Sequence, residues 1–290
     1  MTNPVGTPKL FDHTALRARF VRAGRLGAAT FLLDTVSSDL ADRLGTVLRS
    51  FKHAVDLGTP LTGLHDALAT RAAVVDHVDF IASETEDLQL APQSIDLAVS
   101  ALALQFANDL PGVFAQLRRA LKPDGLFLAA MIGGETLTEL RQAFAAAESE
   151  RDGGISPRVA PAIDVRDLGA LLQRAGFALP VTDSDRLTVR YDNAFALMGD
   201  LRRMGATNVL TERRRVPLRR ATLLRMAEIY AERFSDADGR IRATFDILWL
   251  SGWAPHPDQQ KPLQPGSAKT RLADALGTRE IAAGEKPGEG

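Results

Sequence analysis

The sequence contains no cysteine in its 290 residues, which excludes disulfides, thiolate metal sites and cysteine nucleophiles. Long apolar runs are also missing, since no stretch approaches the ~20 residues that a transmembrane helix requires. The five histidines are scattered without the helical spacing of zinc-binding motifs, and we expect no metal site. No secretory signal pattern is visible. Together these absences predict a cytoplasmic protein.

An excess of charge of one sign is equally absent. The 35 basic and 36 acidic residues leave a formal net charge of -1, which gives no global attraction to nucleic acid or to an anionic membrane. Basic residues are nevertheless concentrated in two places. The segment 12–27 has the pattern of a basic amphipathic helix, and three consecutive arginines, Arg213 to Arg215, precede a helix predicted near 218–234.

Both basic segments allow more than one interpretation. The helix at 12–27 either packs on the domain with solvated arginines, makes peripheral contact with an anionic membrane or an acidic partner, or belongs to an arginine-rich transit peptide. The arginines at 213–215 form either a solvated face or a site for an acidic partner. Nucleic-acid binding is not indicated, because no aromatic residues interleave with these arginines.

From residue 53 onward, short apolar runs alternate with helical stretches, a pattern typical of an α/β protein. It predicts a Rossmann-like mixed sheet that is mainly parallel, with strands at 53–57, 78–82, 95–100 and 126–131. Two later strands, at 186–191 and 241–250, predict an antiparallel edge pair. Further helices are predicted near 30–49, 135–149, 164–175 and 193–204.

This pattern also predicts the domain organisation. Residues 1–50 are expected to form helices packed on an α/β domain at 51–254 that carries helical insertions. Residues 255–290 are rich in Pro, Gln, Gly and Lys and show no periodicity. They are expected to form a mostly disordered tail.

The stretch AVDLGTPLTG at 54–63 has the strand-to-glycine turn on which many α/β proteins place a nucleotide-like cofactor. Gly58 puts no side chain between the backbone and a ligand, and Asp56 lies at the strand end, where its carboxylate could hold the loop. Pro60 removes one N–H donor from the same loop. The pattern alone leaves two alternatives open, a cofactor loop and a plain strand terminus.

The next part of the chain is unusually short. Only 20 residues separate Gly58 from Val78, which is room for one crossover helix but not for a helix, a strand and another helix. Asp76 has the separation from the glycine turn that a ribose-binding acid requires. It lies too close to the predicted strand 78–82 for 72–75 to be a parallel neighbour. Either the second strand or its crossover helix is therefore abbreviated.

An acidic loop, SETEDL, follows at 83–88. Glu84 in this loop could accept a hydrogen bond from an adenine amino group. The alternative is a charged loop that caps the next turn.

The ordered run of VDLG, NDLPG, LKPDG, GGETL and SPRVAP resembles the class I S-adenosylmethionine-dependent methyltransferases. More narrowly, it resembles the branch that includes the mitochondrial complex I assembly factor and malonyl-carrier-protein methyltransferase-like proteins. The resemblance implies a seven-stranded sheet and S-adenosylmethionine as cofactor. It also implies cofactor-binding roles for Asp56, Gly58, Gly63, Asp76 and Glu84.

Residues after later strand ends are predicted to line the same site. They are Gln105, Phe106, Asn108, Gly133, Gly134, Glu135 and Thr136, with turn or helix-cap roles as the alternative for Asn108 and Thr136. The family commonly has His-Trp where this chain has Gln105-Phe106, so an aromatic plane remains without an imidazole base. Methyl transfer depends mainly on positioning, and no obligatory catalytic residue is predicted.

The resemblance leaves three functions open. The first is a methyltransferase that acts on a protein or on a small acidic substrate. The second is an assembly factor that binds a respiratory-complex subunit and carries a degraded cofactor site. The third is a protein arginine hydroxylase.

Overall fold

The computed structural model describes residues 9–61, 63–82, 85–256, 258, 274 and 276–278. The chain divides into two units, Met1–Pro255 and His256–Gly290. Everything below concerns the first unit. Most of the predicted tail lies outside the described residues, and so does the predicted adenine-contact acid, Glu84.

Eight α-helices and six β-strands make up the described part of the first unit. In chain order they are α1 (His13–Arg25), α2 (Phe31–Gly45), β1 (Phe51–Leu57), α3 (Gly63–Ala69), β2 (Ala72–Val78), β3 (Ile95–Ala101), α4 (Leu110–Ala120), β4 (Leu121–Gly133), α5 (Thr138–Asp152), α6 (Val165–Arg174), β5 (Ala178–Tyr191), α7 (Ala194–Arg203), α8 (Arg220–Phe234) and β6 (Ile241–Trp253). Short 3₁₀ turns lie at Phe80–Ala82 and Leu104–Phe106.

The strands form one mixed sheet in the order β2-β1-β3-β4-β6-β5. The first four strands are parallel, while β6 runs antiparallel to both β4 and β5. The predicted Rossmann-like sheet with its antiparallel edge pair is therefore confirmed. The seven strands that the resemblance implied are not present, because the sheet has six strands in the described part of the chain.

The difference lies in the second β-α unit. The strand is β2, at Ala72–Val78, and the prediction of a strand at 78–82 is wrong. The apolar residues Phe80 and Ile81, which indicated a strand, are buried in a 3₁₀ turn. The true strand, β2, has a weaker apolar pattern because it lies at the edge of the sheet and is largely exposed. The sequence predicted that either the second strand or its crossover helix is abbreviated. The abbreviated element is the crossover helix, α3, which has only seven residues.

Helices cover both faces of the sheet and bury two apolar cores. The core on one face involves α2, α3, α5, α7 and α8, and the other involves α1, α4 and α6. Local capping defines several of the helix ends. The side chain of Asp12 accepts from the backbone N–H of Ala15, and Gly176 follows the end of α6 with a φ of 82°.

The basic amphipathic segment forms α1 and packs on this domain. Leu16 is fully buried, and the Nη1 atom of Arg17 donates to the carbonyl oxygen of Ile81 at 2.7 Å. Arg22 donates to the Thr207 hydroxyl. The packed-helix interpretation describes α1, and a contact with membrane stays a prediction. No described helix is long and apolar enough to cross a bilayer.

Candidate functional site

A cavity of about 620 Å³ lies where the parallel strands end. One wall is formed by residues that follow β1, β2, β3 and β4, which is the edge where open α/β sheets bind their ligands. The opposite wall comes from α1, α2, α7 and two loops, at 158–162 and 206–209. The volume lies within the range of about 300–1,000 Å³ that small-molecule sites occupy.

The glycine turn after β1 contributes Gly58, Thr59, Pro60 and Leu61 to this cavity. Gly58 has a φ of 68°, and an added Cβ would lie 2.8 Å from the Cε1 atom of Phe80. Its N–H donates to the carbonyl oxygen of Val78 at 2.9 Å, and Pro60 has no N–H. The loop therefore offers a bare backbone surface with few free amide donors. Gly63 begins α3.

Asp56 does not line the cavity. It is 1% exposed, and its Oδ1 atom has no hydrogen-bond partner among the described residues. Burial raises the pKa of this carboxyl above 3.8, and the opposing influence of Thr59 and His77 is smaller. The Oδ2 atom lies 3.4 Å from Nδ1 of His77, which is exposed and lines the cavity. Asp56 thus reaches the cavity lining through its neighbours His77 and Thr59 and does not line the cavity itself.

Two acids near the end of β2 have different surroundings. Asp76, the predicted ribose acid, lies outside the cavity lining, and its carboxylate contacts Nε2 of His53 at 2.7 Å. Asp79, the first residue after β2, is exposed and lines the cavity. Asp79 therefore occupies the place at the end of the second strand where a ribose-binding acid is expected.

Gln105 and Phe106 both line the cavity. The Gln105 side chain donates through Nε2 to the carbonyl oxygen of Leu102 at 2.6 Å, while its Oε1 atom is buried and has no partner in the described residues. The ring of Phe106 packs edge-on against Phe11 and Phe20, with centroid distances of 5.9 and 6.2 Å. The aromatic plane thus holds α1 against the site.

Asn108 lies outside the cavity lining and ties the N-terminal segment to the domain. Its Oδ1 accepts from the N–H of Phe11 at 2.7 Å, and its Nδ2 donates to the Phe11 carbonyl oxygen at 3.2 Å. The buried carboxylate of Glu86 accepts from the N–H groups of Asn108 and Asp109. Asn108 therefore joins the Phe11 backbone to the loop before α4, while the N-cap of that helix is its neighbour Asp109.

The segment GGETL forms a tight turn after β4, and of its first four residues only Thr136 lines the cavity. Gly134 has a φ of 54°, and an added Cβ would lie 2.6 Å from Oδ2 of Asp246. That carboxylate also accepts from the N–H of Glu135 at 2.8 Å. Gly133, Gly134 and Glu135 therefore shape the turn around Asp246, and the Thr136 hydroxyl donates to the Gly133 carbonyl oxygen.

The residues of the cavity fit S-adenosylmethionine. Gly58 gives a wall without side chain, and Asp79 offers a carboxylate for the ribose hydroxyl groups. Because the amides of the glycine turn are largely used or missing, Asp79 would hold the group more than the loop does. The unpartnered Oε1 of Gln105 is a further buried acceptor in the same cavity.

Some cavity residues escaped the sequence analysis. His77 and Asp79 were missed because the second strand was predicted at 78–82, after His77 and with Asp79 inside it, whereas a strand at 72–78 puts Asp79 directly after its end. The cover formed by α1, α2 and α7 has no local sequence signal, since it depends on tertiary packing. The motif SPRVAP did carry a signal, because Arg158 to Pro161 line the cavity.

Comparisons with known proteins agree with this architecture. A family model described as a methyltransferase domain matches residues 41–129. A crystal structure of a proposed methyltransferase from Bacillus halodurans C-125 superposes with a TM-score of 0.51 and 16% identity, covering 76% of this chain and 100% of that one. At this identity the likeness shows the fold alone.

Curated relatives are more similar in sequence. The human protein named arginine-hydroxylase NDUFAF5, mitochondrial, is 37% identical over 289 residues, 92% of this chain and 84% of the relative. A malonyl-[acyl-carrier protein] O-methyltransferase from Xylella fastidiosa (strain M23) is 39% identical over 60% of this chain and 57% of its own length. The prediction of a cytoplasmic protein is wrong, because the arginine-hydroxylase relatives are mitochondrial by name.

Proposed function

This chain belongs to the S-adenosylmethionine-dependent methyltransferase family, in the branch of the arginine hydroxylase NDUFAF5, and we propose that it binds S-adenosylmethionine and modifies a protein side chain. The observation that carries the proposal is the cavity at the ends of the parallel strands, where a bare glycine turn, Asp79 and the unpartnered Gln105 Oε1 meet. An arginine side chain is the proposed substrate, because the full-length relatives are named for arginine.

The cavity supplies an acceptor for a cationic side chain. The buried amide oxygen of Gln105 can accept from an N–H group of a guanidinium, while the carboxylate of Asp79 is left for the ribose hydroxyl groups of the cofactor. The walls are otherwise mainly apolar, with Phe20, Leu33 and Phe245 among the lining residues, which limits access of water. Positioning in such a site supplies much of the rate of a group transfer.

Bound S-adenosylmethionine would supply an electrophilic methyl group. A nitrogen nucleophile loses a proton when it forms the new C–N bond, and the proposed acceptor of that proton is Nε2 of His77. The Nδ1 atom of the same ring faces Asp56 at 3.4 Å, which leaves Nε2 for a proton from the cavity. His77 would thus replace the imidazole that the chain lacks at Gln105.

Hydroxylation of an arginine is the second candidate reaction at the same site. The specific observation in its favour is the 37% identity that extends over 92% of this chain to the human protein named an arginine hydroxylase. The acceptor proposed for the guanidinium serves both reactions, whereas the proton acceptor is needed for methyl transfer. Hydroxylation would need dioxygen and a two-electron reductant as co-reactants, with the second oxygen atom leaving as water.

A non-catalytic assembly factor is the third candidate. It is favoured by Pro60, by the use of the Gly58 N–H within the fold and by the seven-residue crossover helix, all of which reduce the donors available to a cofactor. In that case a respiratory-complex subunit is the proposed partner, held without chemical change.

Calorimetric titration of the purified protein with S-adenosylmethionine tests the main proposal. Saturable heat with thermal stabilisation is expected. The absence of both at millimolar ligand would remove the cofactor from the proposal. Intact-mass analysis of a protein that co-purifies from cells then separates the reactions: a gained methyl group supports transfer, a gained oxygen supports hydroxylation, and an unchanged mass supports the assembly factor.

A further inference from the structure

A second opening adjoins the cavity and is lined almost entirely by arginine. Its lining residues, here called the arginine cleft, are Arg19, Arg22, Arg158, Arg202, Thr207, Asn208, Arg213, Arg214 and Arg215. The opening has a volume of about 430 Å³. Arg158, Arg202, Thr207 and Asn208 line both the cleft and the cavity, so the two spaces are continuous on this side.

Part of the positive charge in the arginine cleft is neutralised within the protein. Arg158 donates from Nε to the fully buried carboxylate of Glu148 at 2.8 Å. Arg213 pairs with Asp12 at 2.9 Å. Arg214 lies 3.3 Å from Asp152 in the same way. These three arginines are held in place by their partners.

The other four arginines of the cleft form no ion pair within the described ranges; they are Arg19, Arg22, Arg202 and Arg215. No acidic residue lines the cleft. The protein as a whole has a formal net charge of -1, so this local excess is not a consequence of general basicity.

Two of these side chains also carry one hydrogen-bond donor atom without a partner among the described residues. The Nε atoms of Arg19 and Arg22 are buried and have no acceptor in the part of the chain that the structure describes. Burial, followed by the nearby charges of Arg19 and Arg202, lowers the pKa of Arg22 below its usual value. Unsatisfied donors among crowded like charges indicate that an anionic ligand completes the cleft.

We propose that the arginine cleft binds an acidic segment of the protein substrate, next to the side chain that enters the cavity. The unpaired arginines come from α1, α7 and the loop before α8, so carboxylates spaced along a peptide match them better than one small anion does. Stacking of nucleic-acid bases requires aromatic side chains, and none of the described residues that line the cleft is aromatic. The position of this segment relative to the modified residue rests on the proposed function.

Fluorescence polarisation with a labelled peptide of alternating Asp and Gly residues tests the inference, and the same peptide with Asn in place of Asp is the neutral control. Binding to the full chain is compared with binding to the R19Q/R215Q double variant, whose altered residues line the cleft but not the cavity. The matched control is R119Q/R174Q, which removes the same charge from exposed positions of α4 and α6. Thermal unfolding verifies that both variants are folded.

The expected result is salt-dependent binding of the acidic peptide that weakens at least about tenfold in R19Q/R215Q and stays unchanged in R119Q/R174Q. Equal binding of the neutral peptide, or equal loss in both variants, would overturn the inference. So would binding of inorganic tripolyphosphate or of phosphatidylserine vesicles without binding of the peptide. Titration of R19Q/R215Q with S-adenosylmethionine reports separately on the proposed function, since neither residue lines the cavity.

Discussion

The Nδ1 atom of His77 lies 3.4 Å from Oδ2 of Asp56, joining a side chain that is open to the cavity with one that is almost completely buried. The pair connects neighbouring strands, because Asp56 of β1 and His77 of β2 are in register. A buried carboxylate with one unpartnered oxygen is unfavourable to folding, and it persists here beside the group that we propose as proton acceptor.

Replacing Asp56 by asparagine is expected to stabilise the protein at neutral pH by about 1 kcal/mol, because it removes a charge that burial disfavours. The pKa of Asp56 is raised in the folded state, so its contribution to stability is complete below 3.8 and is lost as the pH rises through the raised value. Chemical unfolding of the wild type and D56N between acid and neutral pH measures this difference. The control is D76N, on the exposed edge strand, and a wild type that gains stability over D56N with rising pH would contradict the expectation.

The two acids of β2 and its end provide a matched test of the cofactor site. D79N is expected to weaken binding of S-adenosylmethionine about tenfold or more, because it removes a charged acceptor from the cavity. D76N should leave the affinity unchanged, since Asp76 contacts His53 away from the cavity. Calorimetric titration of both variants distinguishes them, and the reverse order of effects would assign the ribose to the residue that sequence spacing indicates.

Alanine substitutions at Gly58 and Gly27 distinguish the stability cost of backbone strain from the cost of a steric clash. Both have a positive φ, of 68° and 79°, so alanine at either position costs roughly 1–2 kcal/mol of unfolding free energy. Only at Gly58 would the new Cβ also meet a side chain, Phe80 at 2.8 Å, whereas at Gly27 nothing lies within 4 Å. Urea unfolding should therefore show a larger loss for G58A than for G27A. Equal losses would mean that Phe80 moves without penalty.

The ion pair between Arg186 and Asp246 is expected to stabilise the turn after β4 at pH values where the Asp246 carboxyl is ionised. Burial raises the pKa of Asp246, but hydrogen bonds from Arg186 and from the Glu135 N–H outweigh it, and the net direction is down from 3.8. The stabilisation is present above 3.8 and is lost as the pH falls through the lowered value. R186Q should lower the free energy of unfolding only slightly at neutral pH, since the arginine is largely exposed, and should leave it unchanged at low pH. Unfolding curves at both pH values measure this, with R166Q as the exposed control.

Elements with strong local signals could be predicted from the sequence. The strand β6 was predicted because its apolar residues recur regularly. Similar local signals in the sequence are Pro111 in the first turn of α4 and Gly176, which follows the end of α6 with a positive φ. The resemblance drawn from the ordered motifs is confirmed by the relatives and by the fold.

The candidate site was less predictable, because much of it depends on contacts between distant segments. The strand β2 lies at the sheet edge, so its apolar pattern is weak, while Phe80 is strongly apolar for packing against Gly58. The second strand was therefore predicted too late in the chain, and the ribose-binding acid was predicted to be Asp76 and not Asp79. Glu86, which holds the N–H groups of Asn108 and Asp109, has no sequence motif that distinguishes it from the other acids of its loop.

The short helix α3 has a consequence for the behaviour of the protein in solution. In the described part of the sheet no strand lies beyond β2, so its outer edge is a border that carries the half-exposed side chain of Val74. Such a border is a template for strand pairing between molecules. Asp76 and His77, exposed near the end of this strand, place charge and polarity where another strand would have to pair.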